Sequence, residues 1–136
     1  MFILEAGKNH LGQVKKADKL LNFFLKSDFK KMTFMCQTKK WYQAKKESYK
    51  LPNSFYQKAL FLANKKNKNI GLSVCDLNTY NDLKHLNFKF YKLLSIAINN
   101  YELIDELKKR NKTIYISTGY NASDKKIKNC LKKFRN

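Results

Sequence analysis

Ile70-Gly71-Leu72-Ser73-Val74, closing at Cys75-Asp76, then a short helix read from Asp76 to Leu86, then Phe88-Lys89-Phe90-Tyr91-Lys92-Leu93-Leu94, is the stretch on which the architecture turns. Each apolar run has the length of a buried strand, and the segment between them has the length of a short helix. Two strands joined through a helix read as parallel neighbours, because a parallel pair needs a crossover connection.

The same unit recurs on both sides. Upstream, Phe2-Ile3-Leu4 is a short apolar run ending at Glu5-Ala6-Gly7. Val14, Ala17, Leu20, Leu21, Phe24 and Leu25 then form one apolar helical stripe, with Lys15, Lys16 and Lys19 on the solvated side. Met32 to Cys36 predicts a second strand closing at Gln37-Thr38, and Lys39 to Asn53 is polar and irregular, which predicts a loop. Pro52 precedes a second helix carrying Phe55, Ala59, Leu62 and Ala63, which ends in the polar run from Asn64 to Asn69.

Downstream, Tyr101 to Arg110 predicts a fourth helix with Leu103, Ile104 and Leu107 inward and Asn100 as N-cap. Glu102 in its first turn and Lys108, Lys109 and Arg110 in its last suit the helix dipole. Thr113 to Ser117 is a fifth strand, and Ser123 opens a fifth helix with Ile127, Leu131 and Phe134 on one side.

Five strand-then-helix units in strict alternation predict an α/β fold with a parallel sheet and right-handed crossovers. A flavodoxin-like open sheet and a partial (β/α)8 barrel of the TIM type both satisfy the pattern, and periodicity does not separate them. In either, working residues gather at the carboxyl ends of the strands. Here those ends read Glu5 to His10, Gln37-Thr38, Cys75-Asp76, Ser95, and Ser117 to Tyr120.

Composition narrows the function classes. With 136 residues, 43% hydrophobic, the chain is long enough for one domain with a real core. No run approaches the ~20 apolar residues of a membrane span, and Met1 to Leu4 leads into Glu5 rather than a signal-peptide core, so a cytoplasmic location is expected. Cys36, Cys75 and Cys130 are widely spaced and form no Cys-x-x-Cys pair, which argues for reduced thiols rather than disulfides or a zinc site. The net charge of +19 would suit nucleic acid, yet of 29 basic residues only Arg110 and Arg135 are arginine. Nucleic-acid readers lean on arginine for bidentate contacts, so nucleic acid is not the expected partner.

Five fragments in order carry a family resemblance. Glu5-Ala6-Gly7-Lys8-Asn9-His10-Leu11-Gly12 resembles the Glu-x-Gly-x-Asn-His-x-Gly opening of the sialic acid synthase (N-acetylneuraminate synthase) family. Gln37-Thr38 resembles its strand-two Gln-Thr, and Tyr91-Lys92 with Ser95 its Tyr-Lys-Ile-x-Ser. Asn99-Asn100-Tyr101 and Ile116-Ser117-Thr118-Gly119 resemble its Asn-Asn turn and its strand-five Ser-Thr-Gly.

The resemblance implies that residues 1–136 are the five amino-terminal βα units of a TIM barrel. It also implies a transferase that condenses phosphoenolpyruvate with an N-acyl sugar such as N-acetylmannosamine, aided by a divalent metal, manganese or magnesium. By the same resemblance Glu5 is the proton-handling catalytic carboxylate, Lys92 and Ser95 hold phosphoenolpyruvate, and Gln37 contacts the sugar. Lys92 has support of its own: an ammonium inside an apolar strand is costly unless it meets an anion or a wet lumen. Its alternative is a sheet edge, where it would reach solvent. His10, with no partner nearby in sequence, reads as a loop hydrogen-bonder rather than a metal ligand.

Three positions depart from the family pattern. Met35 stands where the family has a lysine, Val74 where it has a threonine, and Ala97 where it has a glutamate. Losing charge-assisted contacts worth roughly 1.5 to 3 kcal/mol each is expected to weaken ligand affinity. The family's metal-binding histidines belong to later barrel strands, so no metal ligand is expected in this chain. The incomplete barrel is expected to be closed by a second polypeptide or by self-association. Two alternatives accompany the synthase reading: a non-catalytic sugar- or anion-binding half barrel, and a basic nucleic-acid-associated protein.

Overall fold

Each strand is joined to the next by at least one helix, so every neighbouring pair is free to run parallel. The computed structural model describes residues 2–44, 47–119 and 122–135. In chain order the elements are β1 (Leu4–Glu5), α1 (Val14–Lys26), β2 (Lys31–Met35), α2 (Lys39–Ala44), a 3-10 turn (Glu47–Tyr49) and α3 (Asn53–Lys65). There follow β3 (Asn69–Val74), α4 (Leu77–Leu83), β4 (Phe90–Leu93), a 3-10 turn (Ser95–Ala97), α5 (Tyr101–Lys108), β5 (Thr113–Ile116) and α6 (Asp124–Arg135).

The strands lie in the order β1-β2-β3-β4-β5, and all four pairs are parallel. That order separates the two architectures. A flavodoxin-like sheet inserts its first strand between the second and third. Consecutive order with right-handed crossovers instead puts every helix on one side, as in a (β/α)8 barrel. Among the described residues β1 and β5 each have one strand neighbour, so both are edges.

Strand alternation then divides the side chains. Met32, Phe34, Ile70, Leu72, Val74, Tyr91 and Leu93 are buried against the helices. They meet Ala17, Leu21 and Phe24 of α1, Phe55, Tyr56, Ala59 and Ala63 of α3, and Leu103, Ile104 and Leu107 of α5 in one core. The opposite, helix-free face carries Glu5, Thr33, Met35, Gly71, Ser73, Phe90, Lys92 and Tyr115, by the register pairs Glu5 with Thr33, Thr33 with Gly71, Met35 with Ser73, and Ser73 with Lys92.

The amino-terminal part of that face is filled by the chain's own residues. Lys31 Nζ donates to the Tyr115 hydroxyl at 2.7 Å and lies 5.7 Å from the Phe90 ring centroid. The Phe90 ring packs edge-on against Tyr115 at 5.5 Å and passes directly over Gly71, where a Cβ would come within 2.4 Å of it. Glycine is required there for space. At Gly12 it is required twice over, since φ is +74° and a Cβ would sit 1.6 Å from the Ser48 carbonyl oxygen.

Several boundaries differ from expectation. The segment 39–53 is not simply a loop: it contains α2 and a 3-10 turn. Thr38 Oγ1 accepts the Trp41 amide at 3.0 Å, and the Trp41 ring packs edge-on against Tyr42 and Tyr49, giving this short helix a small apolar cluster. Asp76 lies outside its helix as the N-cap of α4, accepting the Thr79 amide. The first strand pairs through Leu4–Glu5, so Glu5 ends the strand rather than following it. The fourth is shorter than Phe88–Leu94, running from Phe90 to Leu93. Asn100 caps α5 as expected, accepting the Leu103 amide at 3.1 Å. Among the described residues no helix is long and apolar enough to cross a membrane.

Candidate active site at the carboxyl ends of the strands

Among the described residues only three charged side chains lie within the strands: Glu5, Lys31 and Lys92. Lys31 is engaged with Tyr115 at the amino-terminal end. The other two meet. Lys92 Nζ donates to Glu5 Oε2 at 2.8 Å, with both side chains a little over a quarter exposed (29% and 28%).

The contact reports the shape of the sheet. Glu5 is on β1 and Lys92 on β4, three strand spacings apart. On a flat sheet side chains standing perpendicular to it would stay about 14 Å apart. They touch because the helix-free face is concave. Lys31 on β2 and Tyr115 on β5 make a second contact over the same number of strands, so the curvature extends along the face. Lys92 also lies on an interior strand, which removes the reading of a lysine reaching solvent at an edge.

Two further donors fix the carboxylate. Ser73 Oγ donates to Glu5 Oε2 at 3.0 Å, and the Gly7 amide donates to Oε1 at 3.3 Å. Ser73 is fully buried and pairs in register with Lys92, so hydroxyl and ammonium converge on one carboxylate oxygen. Family resemblance alone places the strand-three hydroxyl at position 74 and misses Ser73. Val74 faces the helix layer and is fully buried there, so its methyl groups pack in the core and remove nothing from this face.

The remaining expected residues surround this pair without bonding to it. Gln37 follows β2, and its Nε2 donates to Met35 Sδ at 3.1 Å while its backbone amide donates to the Tyr42 hydroxyl at 3.2 Å. Gln37 and Met35 pack with Lys8, His10, Trp41, Tyr42 and Tyr49 so tightly that no water-sized molecule fits between them. Ser95 opens the 3-10 turn after β4, its Oγ beside Gly119 in the segment that follows β5. Among the described residues no hydrogen bond joins Gln37 or Ser95 to the Glu5–Lys92 pair. Ala97 is buried in the core, and Tyr120 lies outside the described residues.

His10 is buried, and its Nδ1 accepts the Gly12 amide at 2.9 Å. A nitrogen that accepts a bond carries no proton, so the imidazole is neutral, and burial holds its pKa below the ordinary 6.5. The unfolded chain therefore takes up this proton before the folded one does. Stability is complete above about pH 6.5 and is lost as pH falls through the lowered pKa. Chemical denaturation between neutral and mildly acid pH is expected to show that loss, and His10→Asn, whose side-chain oxygen can accept the same amide, is expected to flatten it.

The cysteines take no part. All three are free and buried, and burial pushes the Cys36 and Cys75 thiols up to about 12, so neither forms a thiolate near neutral pH.

A divalent cation does not fit the Glu5 cluster. One carboxylate oxygen already receives an ammonium and a hydroxyl, and a cation beside Lys92 would be repelled. Among the described residues no group of three or more His, Cys, Asp or Glu side chains comes together.

Comparison with known proteins adds the family. The NeuB family model matches residues 10–136. Among solved structures, the N-acetylneuraminic acid (sialic acid) synthetase of Leptospira borgpetersenii serovar Hardjo-bovis is similar with a TM-score of 0.83 at 20% identity, over 98% of this chain and 49% of that one. The spore coat polysaccharide biosynthesis protein SpsE of Bacillus subtilis is similar with a TM-score of 0.78 at 20% identity, over 98% of this chain and 39% of that one. At such identity the likeness is one of fold, and the chain spans half or less of each relative's length. No curated protein sequence matches.

Proposed function

The chain belongs to the NeuB family, and from that premise we propose that it supplies the five amino-terminal βα units, residues 1–136, of a sialic acid synthase-like barrel. The reaction is the condensation of phosphoenolpyruvate with an N-acyl sugar such as N-acetylmannosamine. The enol carbon bonds to the aldehyde carbon of the open-chain sugar, water adds to the neighbouring carbon, and inorganic phosphate leaves.

In this reading Lys92 and Ser95 hold the phosphate or carboxylate of phosphoenolpyruvate, Glu5 moves the proton, and Gln37 meets the sugar. The later strands come from a longer chain, a second polypeptide or self-association, and any metal would be held by residues outside those described. A cytoplasmic location suits a consumer of phosphoenolpyruvate.

One observation carries the proposal: the Lys92 ammonium on an interior strand is turned onto a concave face and meets the Glu5 carboxylate from three strands away. Calorimetric titration with phosphoenolpyruvate tests it. Lys92→Met is expected to weaken binding at least ten-fold, the equivalent of losing one charge-assisted hydrogen bond. Equal affinity in the two proteins would refute it.

Met35 favours a second reading. A thioether on this face where the family carries an ammonium leaves Lys92 as the sole cation of the row Met35–Ser73–Lys92, which suits a binding domain that has lost turnover. Binding in the calorimeter without phosphate release, once the later strands are supplied, would select that reading.

A further inference from the structure

The Glu5–Lys92 pair poses a problem for the anion site just described, and its solution deepens that reading while resting on it. Lys92 bonds to Glu5 Oε2 at 2.8 Å and to no other described group, so its ammonium faces a fixed negative charge. Ser73, the hydroxyl in register beside it, is turned to the same oxygen at 3.0 Å, and the Gly7 amide holds Oε1. Both side-chain donors of the row Ser73–Lys92 are thus directed at Glu5.

We infer that Glu5 is an internal competitor for the anion site: its Oε2 takes the position on Lys92 and Ser73 that an oxygen of the ligand needs. Binding then exchanges one carboxylate for another anion. Lys92 and Ser73 turn from Glu5 to the ligand, and the released Glu5 carboxylate becomes available to accept the proton that the adding water gives up. Affinity is sacrificed, because the incoming anion meets an ammonium already neutralised and a carboxylate still close by. In return, the base is held inactive by the groups that the ligand itself recruits.

Calorimetry with inorganic phosphate at physiological ionic strength tests this, using the wild-type chain, Glu5→Gln, Lys92→Met and the double variant. Glu5→Gln keeps the shape of the side chain and removes its charge, and it is expected to tighten phosphate binding at least five-fold. Lys92→Met is expected to lose binding, and the double variant to be as weak as Lys92→Met, which would show that the gain acts through Lys92. Glu5→Ala serves the same purpose should the glutamine variant fail to fold.

The outcomes are separable. If Lys92→Met weakens binding but neither Glu5 variant tightens it, the competition is overturned and the anion site stands. If Lys92→Met binds as the wild type does, the phosphate lies on surface lysines and both readings fall.

Discussion

Lys68→Met is expected to lower the thermal midpoint by about 10 °C. Lys68 is buried between α3 and β3, and its Nζ donates to the carbonyl oxygens of Phe24 at 2.8 Å and Phe29 at 2.9 Å and to that of Ser27. These carbonyls lie at and just beyond the end of α1, where a helix leaves its last acceptors without intrahelical donors. The ammonium joins the Ser27 amide and hydroxyl in closing α1 and ties the turn into β2, with its charge 4.9 Å from the Phe24 ring centroid. Methionine fills similar space and donates nothing. The Phe24 carbonyl keeps its bonds from the Ser27 amide and hydroxyl, so the loss falls on the Ser27 and Phe29 carbonyls. Two bonds to a charged donor are worth roughly 3 kcal/mol, which for a domain of this size is about 10 °C. Differential scanning calorimetry reads it directly, and a shift within about 2 °C would mean that water replaces the ammonium without loss.

Met35→Lys is expected to strengthen binding of phosphoenolpyruvate about ten-fold. Met35 pairs in register with Ser73, which pairs with Lys92, so a lysine at 35 would place a second ammonium in the same row of the concave face. Met35 is half-buried, so the longer lysine costs some packing against its close neighbours but can turn its ammonium to the open part of the face. The bond lost is a weak one from the Gln37 amide to sulfur at 3.1 Å. One added charge-assisted hydrogen bond accounts for the factor. Titration of the variant should show the gain. Unchanged affinity would place the anion away from this row.

The strands were legible in the sequence because a parallel strand covered by helices reads as an apolar run. Lys92 stood out for the same reason: within Phe90-Tyr91-Lys92-Leu93 an ammonium needs an explanation, and the Glu5 carboxylate is that explanation. The order of the strands was not legible. Periodicity reports which side of an element is buried, not which element lies beside it, so it left barrel and open sheet equal. The family resemblance alone pointed to the barrel, and the strand pairing bears it out.

Ser73 was lost to a shift of one residue. In a strand that shift exchanges one face for the other, so aligning the hydroxyl with Val74 directed attention to the helix layer. Lys68 and α2 escaped for other reasons. Lys68 sits in the polar run from Asn64 to Asn69 and looks like a solvated linker, because the carbonyls that need it are about 40 residues away in sequence. With six residues, α2 is too short to show a helical repeat, and the rings that hold it belong partly to the turn containing Tyr49.

The central claim is that the concave, helix-free face binds an anion at Lys92. Nuclear magnetic resonance of the isotope-labelled chain during titration with phosphoenolpyruvate tests it residue by residue. The account predicts the largest shifts at Gly7, Ser73 and Lys92. Shifts confined to the lysine-rich outer side of α6, with those three signals unmoved, would contradict it.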